Sequence, residues 1–149
     1  ILIPGDTRYI AQLLKRGGAI RKIRFLPPVE MQHIVPFSAQ YDVGLFLLEP
    51  TNFNYLHALP NKFFEFLQAR LAVAIGPSPE MTRIVSQFGC GVVADSFDPA
   101  DLARLLNGLD ANMLDAMKAR SSQAAAVHCA ERNADLLRTA FAALQEQAG

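Results

Sequence analysis

The chain has 149 residues, enough for a domain with its own core. Half of it is hydrophobic, and fourteen Lys and Arg balance fourteen Asp and Glu. That composition excludes a disordered chain, gives no hint of a polyanion partner such as DNA, and includes no basic run to hold a membrane. No apolar stretch approaches the roughly 20 residues of a membrane span, and no signal peptide is visible.

The chain opens on Ile1 to Pro4, which reads as a short apolar strand closed at Gly5. Beginning on a strand with no lead-in suggests a fragment of a longer protein. Asp6 or Thr7 can cap the following helix. Tyr9, Ile10, Leu13 and Leu14 give that helix one apolar face, and Gly17-Gly18 stops it. A second strand is expected within Ile20 to Leu26, broken by Pro27-Pro28. Glu30 to Ser38 reads as a helix with Met31, Ile34 and Val35 inward. Val43 to Leu48 is the clearest buried strand, ended by Glu49-Pro50.

Thr51 to Leu59 is a polar and aromatic loop, longer than the two to six residues usual between strand and helix. Pro60 then opens a helix, since its missing N–H is not needed in the first turn. Phe63, Phe64 and Leu67 form the apolar face of that helix. Leu71 to Ile75 is a short buried strand closed by Gly76-Pro77. Pro79 and Glu80 open a helix to about Phe88, Gly91 to Ala94 is a fifth strand, and Pro99 starts a helix carrying Leu102, Leu105, Leu106 and Leu109. From about Asp110 the chain is Ala- and Leu-rich and reads as helical, with a break near His128 to Ala130. Leu136, Leu137, Phe141 and Leu144 mark the last apolar face.

Strands alternating with helices predict an α/β fold, a Rossmann-like parallel sheet flanked by helices on both faces, with extra C-terminal helices. We take residues 1–149 as one domain, about 1–109 forming the α/β core and about 110–149 the C-terminal helices. Ligands of such folds bind outside the carboxyl ends of the strands. Gly5, Pro27, the Thr51–Pro60 loop, Gly76 and Asp95 would share that edge.

The site candidates come from the same edge. Asn61, Lys62 and Glu65 are the polar groups of the helix entered through Pro60. A helix N-terminus attracts an anion, and a carboxylate accepts hydrogen bonds from a sugar diol. His57, Thr51, Asn52 and Asn54 of the preceding loop could contact a ligand, although such Asn and Thr residues commonly bond their own backbone. Gly5, Asp6, Gly76, Ser78 and Glu80 are weaker candidates. No Asp-x-Asp motif or His/Asp/Glu cluster suggests a metal. Cys90 and Cys129 read as buried small hydrophobes in a reducing compartment, rather than a disulfide or a nucleophile, since neither sits in a metal or redox pattern. His33 and His128 carry no signal above background.

The order of elements, and above all PNKFFEFLQARLAVAIG followed by PEMTRIV, FGCGVVAD and DPADLARLL, resembles the C-terminal half of GT-B glycosyltransferases. The resemblance is greatest to the retaining enzymes related to glycogen and sucrose synthases, family 4 in the usual scheme. It implies that the chain binds a nucleotide diphosphate sugar as donor substrate, without a cofactor. The intact protein would transfer the sugar with retention and without a metal. Its partner would be an N-terminal acceptor domain preceding this segment, and this segment alone would be inactive. Glu65 would hold the ribose hydroxyls, the segment at Phe25 to Pro27 would lie against the base, and the stretch up to Pro60, Asn61 and Lys62 would face the diphosphate and sugar. A catalytic residue is not assigned.

Three departures stand out. Many members carry two glutamates seven residues apart, and His57 occupies the first position here. The usual A-x-G-x-P turn has Arg70 and Ala72 at its Gly and Pro, so strain at Arg70 or an altered turn is expected; a side chain in a left-handed turn costs roughly 1 kcal/mol. The family's phosphate-binding Arg and Lys would lie before Ile1. Rival readings are a nucleotide-sugar epimerase of the same architecture and a non-catalytic binding or interaction module. Epimer formation without an acceptor would mark the former. By association alone, the resemblance implies a cytoplasmic protein involved in polysaccharide biosynthesis. It allows peripheral membrane contact at the cytoplasmic face of an inner membrane.

Overall fold

A computed structural model of the chain describes residues 7–147, with side chains to residue 145. The expected strand at Ile1 to Pro4, with Gly5 and Asp6, lies outside the described residues. The chain divides into two compact units, one ending at Phe37 and the other beginning at Ser38.

In the first unit, helix α1 (Thr7–Gly18) forms where the periodicity placed it. Its apolar face is only partly covered: Ile10 and Leu13 are half-buried, whereas Tyr9 and Leu14 are exposed. Gly17 is the one buried residue between 7 and 37. A Cβ there would collide with the ring of Phe25, so the chain folds back over the end of α1 at a point only glycine leaves open. The strand expected within Ile20 to Leu26 does not form. Ile20 N–H donates to Gly17 C=O and Ile23 N–H to Ile20 C=O, both at 2.9 Å, making two successive turns. A strand is stable only with a ladder partner, and Arg21 and Lys22 between the isoleucines, with Arg24 after them, all favour solvent. Helix α2 (Met31–Ser38) begins in this unit, with Pro36 inside it. Ile34 and Val35 are half-buried, but Met31, expected inward, is 84% exposed. It occupies the first helical position, where no neighbouring element of its own unit reaches it.

The second unit is built on a three-stranded parallel sheet in the order β1-β2-β3: β1 (Val43–Phe46), β2 (Ala72–Ile75) and β3 (Gly91–Val93). Val43 is opposite Ala72 and Val73 opposite Gly91. Between β1 and β2 run the single-turn helix α3 (Phe53–Leu56) and helix α4 (Asn61–Gln68). Helix α5 (Pro79–Phe88) joins β2 to β3. After β3 come α6 (Pro99–Asn107), α7 (Ala111–Val127) and α8 (Ala130–Gln147). The break between α7 and α8 falls where the sequence placed it.

β2 is buried along its whole length because both faces are covered. On one face Val73 and Ile75 pack with Phe63 and Leu67 of α4, Met81, Ile84 and Val85 of α5, and Ala124 and Ala125 of α7. On the other, Ala74 and Ala94 pack with Leu102 of α6, flanked by Leu105 and Leu106. Small residues on the α7 face let that helix approach closely. Ser121 supports it: its buried hydroxyl donates to Leu71 C=O at 2.6 Å. Asp98 and Asp110 cap α6 and α7 through their carboxylates.

Two expectations about burial fail in this unit. The apolar stripe of α8 is exposed at Leu136, Leu137, Phe141 and Leu144. Its periodicity makes a helix but supplies no surface for that helix to pack on. Cys90 is fully buried, and burial pushes its thiol up from the ordinary value, but Cys129 is only half-buried. Both cysteines are free.

Candidate functional site

The carboxyl end of the sheet in the second unit is defined by Phe46, Ile75 and Val93, the last residues of the three strands. The chain leaves β1, passes through α3 and enters α4 at Pro60, which occupies the N-cap in extended conformation with no side-chain capping bond. The only N–H of the first turn with a local partner is that of Phe63, donating to Pro60 C=O at 2.9 Å. Asn61 and Lys62 therefore begin a helix whose positive end carries no protein cap.

Lys62 is held at this end. Its Nζ lies 5.8 Å from the centre of the Phe46 ring, a cation–π contact that ties the first turn of α4 to the last residue of β1. The side chain is otherwise exposed and makes no ion pair among the described residues. Asn61 and Glu65 are four residues apart and so share a flank of α4. Phe63 and Leu67 are buried on the other side. Glu65 is half-buried and makes no hydrogen bond or ion pair among the described residues. Its carboxylate oxygens are not among the buried unpartnered atoms, so they stay open to solvent and to a ligand.

The loop residues divide clearly. Asn52 is structural: its side-chain oxygen caps α3 by accepting from Tyr55 N–H at 2.9 Å. Asn54 and Thr51 are exposed. His57 ends α3, its N–H donating to Phe53 C=O at 3.1 Å, and its ring lies against the Phe53 ring with centroids 4.4 Å apart. Glu80 faces Arg83 at 3.5 Å on α5. Ser78 is buried without capping α5. Gly76 has a packing reason: a Cβ there would stand 2.6 Å from the Phe97 ring and 3.0 Å from Leu47. The structure thus brings Asn61, Lys62 and Glu65 into two turns of one helix, with His57 and Asn54 on the segment leading to it. Gly5 lies outside the described residues. Pro27 is exposed in the first unit and follows no strand, so the reason for placing it on a strand edge is gone.

Arg70 carries the strain expected of it. It sits just beyond α4 with φ at 59°, the one non-glycine residue with positive φ among those described. Gly89 takes the same conformation after α5 as glycine does freely. Arg70 lines a cavity of about 330 Å³ with Gln68, Ser122 and Cys129.

His128, which carries no signal in the sequence, is the residue sequence reasoning missed. It lies at the α7–α8 break between two rings, 5.8 Å from Phe88 edge-on and 6.3 Å from Phe64. Its Nε2 is buried with no partner among the described residues. Burial, and secondarily the nearby Arg83, hold its imidazole below the usual histidine range. It borders a second cavity of about 380 Å³ with Leu59, Phe64, Arg83 and Asn133. The available clue was spacing: Ser121, Ala124, Ala125 and His128 fall on one helical face.

No His, Cys, Asp and Glu grouping among the described residues could hold a metal ion. No protein-family model, curated protein or solved structure matches the chain.

Proposed function

We propose that this chain binds the nucleotide diphosphate sugar donor of a retaining glycosyltransferase with a GT-B architecture. The observation that carries the reading is the open, unpartnered carboxylate of the half-buried Glu65, one turn along a helix whose first turn offers uncapped N–H groups and the Lys62 cation. A ribose diol supplies two O–H donors for that carboxylate. A diphosphate supplies negative charge for the helix end and for Lys62. In transfer, negative charge grows on the leaving diphosphate, and a cation and oriented N–H groups fixed beforehand stabilise it without reorganising. The left-handed turn at Arg70 supports the same reading, since it keeps the backbone shape that the matching family pattern makes with glycine.

Calorimetric titration with UDP and with GDP tests the proposal. One of the two should bind weakly and saturably. Glu65→Ala should weaken it roughly ten- to hundredfold, the worth of a hydrogen bond to a charged group. Unchanged affinity in Glu65→Ala would remove the ribose role, and no nucleotide affinity at all would favour a non-catalytic interaction module.

A further inference from the structure

The zero net charge conceals an uneven distribution, and the expectation of no basic run to hold a membrane does not survive it. Residues 7–37 hold six cations against one carboxylate, Glu30. That carboxylate faces His33 at 3.6 Å on α2. Five of the six cations, Lys15, Arg16, Arg21, Lys22 and Arg24, fall within ten residues at the end of α1 and the turns that follow. All five side chains are exposed, and none makes an ion pair or hydrogen bond among the described residues. Lys15 and Arg16 suit the negative end of α1 by themselves. Arg21, Lys22 and Arg24 lie beyond the helix and have no such reason.

The fold gathers these charges. Phe25 packs on Gly17, and the bonds from Ile20 to Gly17 and from Ile23 to Ile20 close the intervening chain into consecutive turns. The tip therefore presents its cations together with Ile20 and Ile23, which are 52% and 46% exposed. Aliphatic side chains this open to water at a turn, interleaved with unpaired cations, have one chemistry that accommodates both. A lipid surface offers anionic headgroups to the charges and an acyl boundary to the isoleucines. A single-stranded nucleic acid would be met by exposed aromatic side chains on which bases stack, and the tip has none: its one aromatic, Phe25, is turned inward onto Gly17; nor do the exposed isoleucines serve a phosphate backbone.

We infer that the turn Gly18–Arg24, with Lys15 and Arg16, docks on an anionic membrane surface. This does not depend on the donor-binding proposal, and nucleotide titration leaves it untouched. The test is flotation of the chain with vesicles of phosphatidylcholine containing about 30% phosphatidylglycerol, against vesicles of phosphatidylcholine alone. The chain should float with the anionic vesicles only, and less as salt rises from about 0.15 M towards about 1 M. Combined Arg21→Gln, Lys22→Gln and Arg24→Gln should weaken partition by about a hundredfold. Ile20→Ser with Ile23→Ser should weaken it roughly tenfold while leaving the salt dependence unchanged. These side chains are exposed, and unchanged circular dichroism will confirm that the variants fold. Failure to float with anionic vesicles would overturn the inference, as would flotation indifferent to the cation substitutions. Loss confined to the cation variants, or tighter retention on a DNA duplex than on vesicles, would overturn it in favour of a soluble polyanion.

Discussion

The two units of this chain have similar apolar patterning and use it differently. Residues 7–37 bury a single residue, Gly17, and leave Tyr9, Ile20, Ile23 and Met31 to solvent. Residues 38–147 enclose Phe63, Leu67, Val73, Ile75, Met81, Ile84 and Leu102 almost completely. Charge divides the same way: cations outnumber carboxylates six to one in the first stretch, while twelve carboxylates stand against eight cations in the second. The lesson is that periodicity specifies an element and not its burial. A helix buries its apolar face only when a sheet or a second helix is within reach, and β2 provides that surface for the second unit.

The sharpest way to break this comparison is to remove one large side chain from each unit. Phe63→Ala should destabilise the second unit by about 3–5 kcal/mol, through lost burial and the cavity left behind. Met31→Ala should change stability by less than about 0.5 kcal/mol, as expected at an exposed position. Urea denaturation of both variants checks this. A comparable loss in Met31→Ala would mean that the first unit has a core of its own built around that residue.

A smaller effect is expected where α7 meets the sheet. Ser121 is fully buried, its hydroxyl donates to Leu71 C=O, and Cys90 C=O lies 3.3 Å away. Ser121→Ala removes the donor and leaves a buried carbonyl unpaired, a loss of about 1–3 kcal/mol. A neutral substitution would show that water replaces the hydroxyl and that α7 is less closely fitted than its small residues suggest.

Legibility in the sequence follows the same division. From Pro60 to Asn107 the helices and strands fall within a residue or two of where pattern placed them. Pro79, Gly89 and Pro99 punctuate that stretch, and each apolar run is local. The chain from Ile20 to Leu26 looked like a strand because isoleucine, phenylalanine and leucine recur there. The deciding facts were instead the packing of Phe25 on Gly17 and the want of a ladder partner, neither of which is local. The exposed stripe of α8 was unreadable for the same reason. Of the candidate site, the placement of Asn61, Lys62 and Glu65 on one helix was legible, because spacing on a helix is arithmetic. The Lys62–Phe46 contact and the turning of His57 onto Phe53 were not, because both need tertiary or loop geometry.

Arg70 provides a test with the opposite sign. Its left-handed backbone costs the folded state what glycine would not. Glycine also makes the unfolded chain more flexible, which offsets part of the relief. Arg70→Gly should therefore stabilise the second unit by a modest 0.5–1 kcal/mol or so, seen as a higher urea midpoint at unchanged slope. If the variant is instead less stable, the guanidinium makes a contribution at the cavity it shares with Gln68 and Ser122 that outweighs the strain.

The smallest effect is a pH dependence at the α7–α8 break. His128 is held below its usual range by burial and by Arg83, so the unfolded chain takes up a proton at a higher pH than the folded one does. Its contribution is therefore fully present above the unfolded value of about 6.5, and it is lost progressively as pH falls from there through the folded value. The charged groups around it leave this sign intact. Arg83 on α5 pairs with Glu80. On α8, hydrogen bonds from its own backbone and from the Cys129 side chain hold the Glu131 carboxyl below the usual range, so it remains ionised through the window. Urea midpoints measured between about pH 7.5 and about pH 5 should fall in the native chain and fall less in His128→Asn. Equal slopes in the two proteins would mean that the imidazole gains a proton as easily when folded as when unfolded, and that the rings of Phe64 and Phe88 do not shield it.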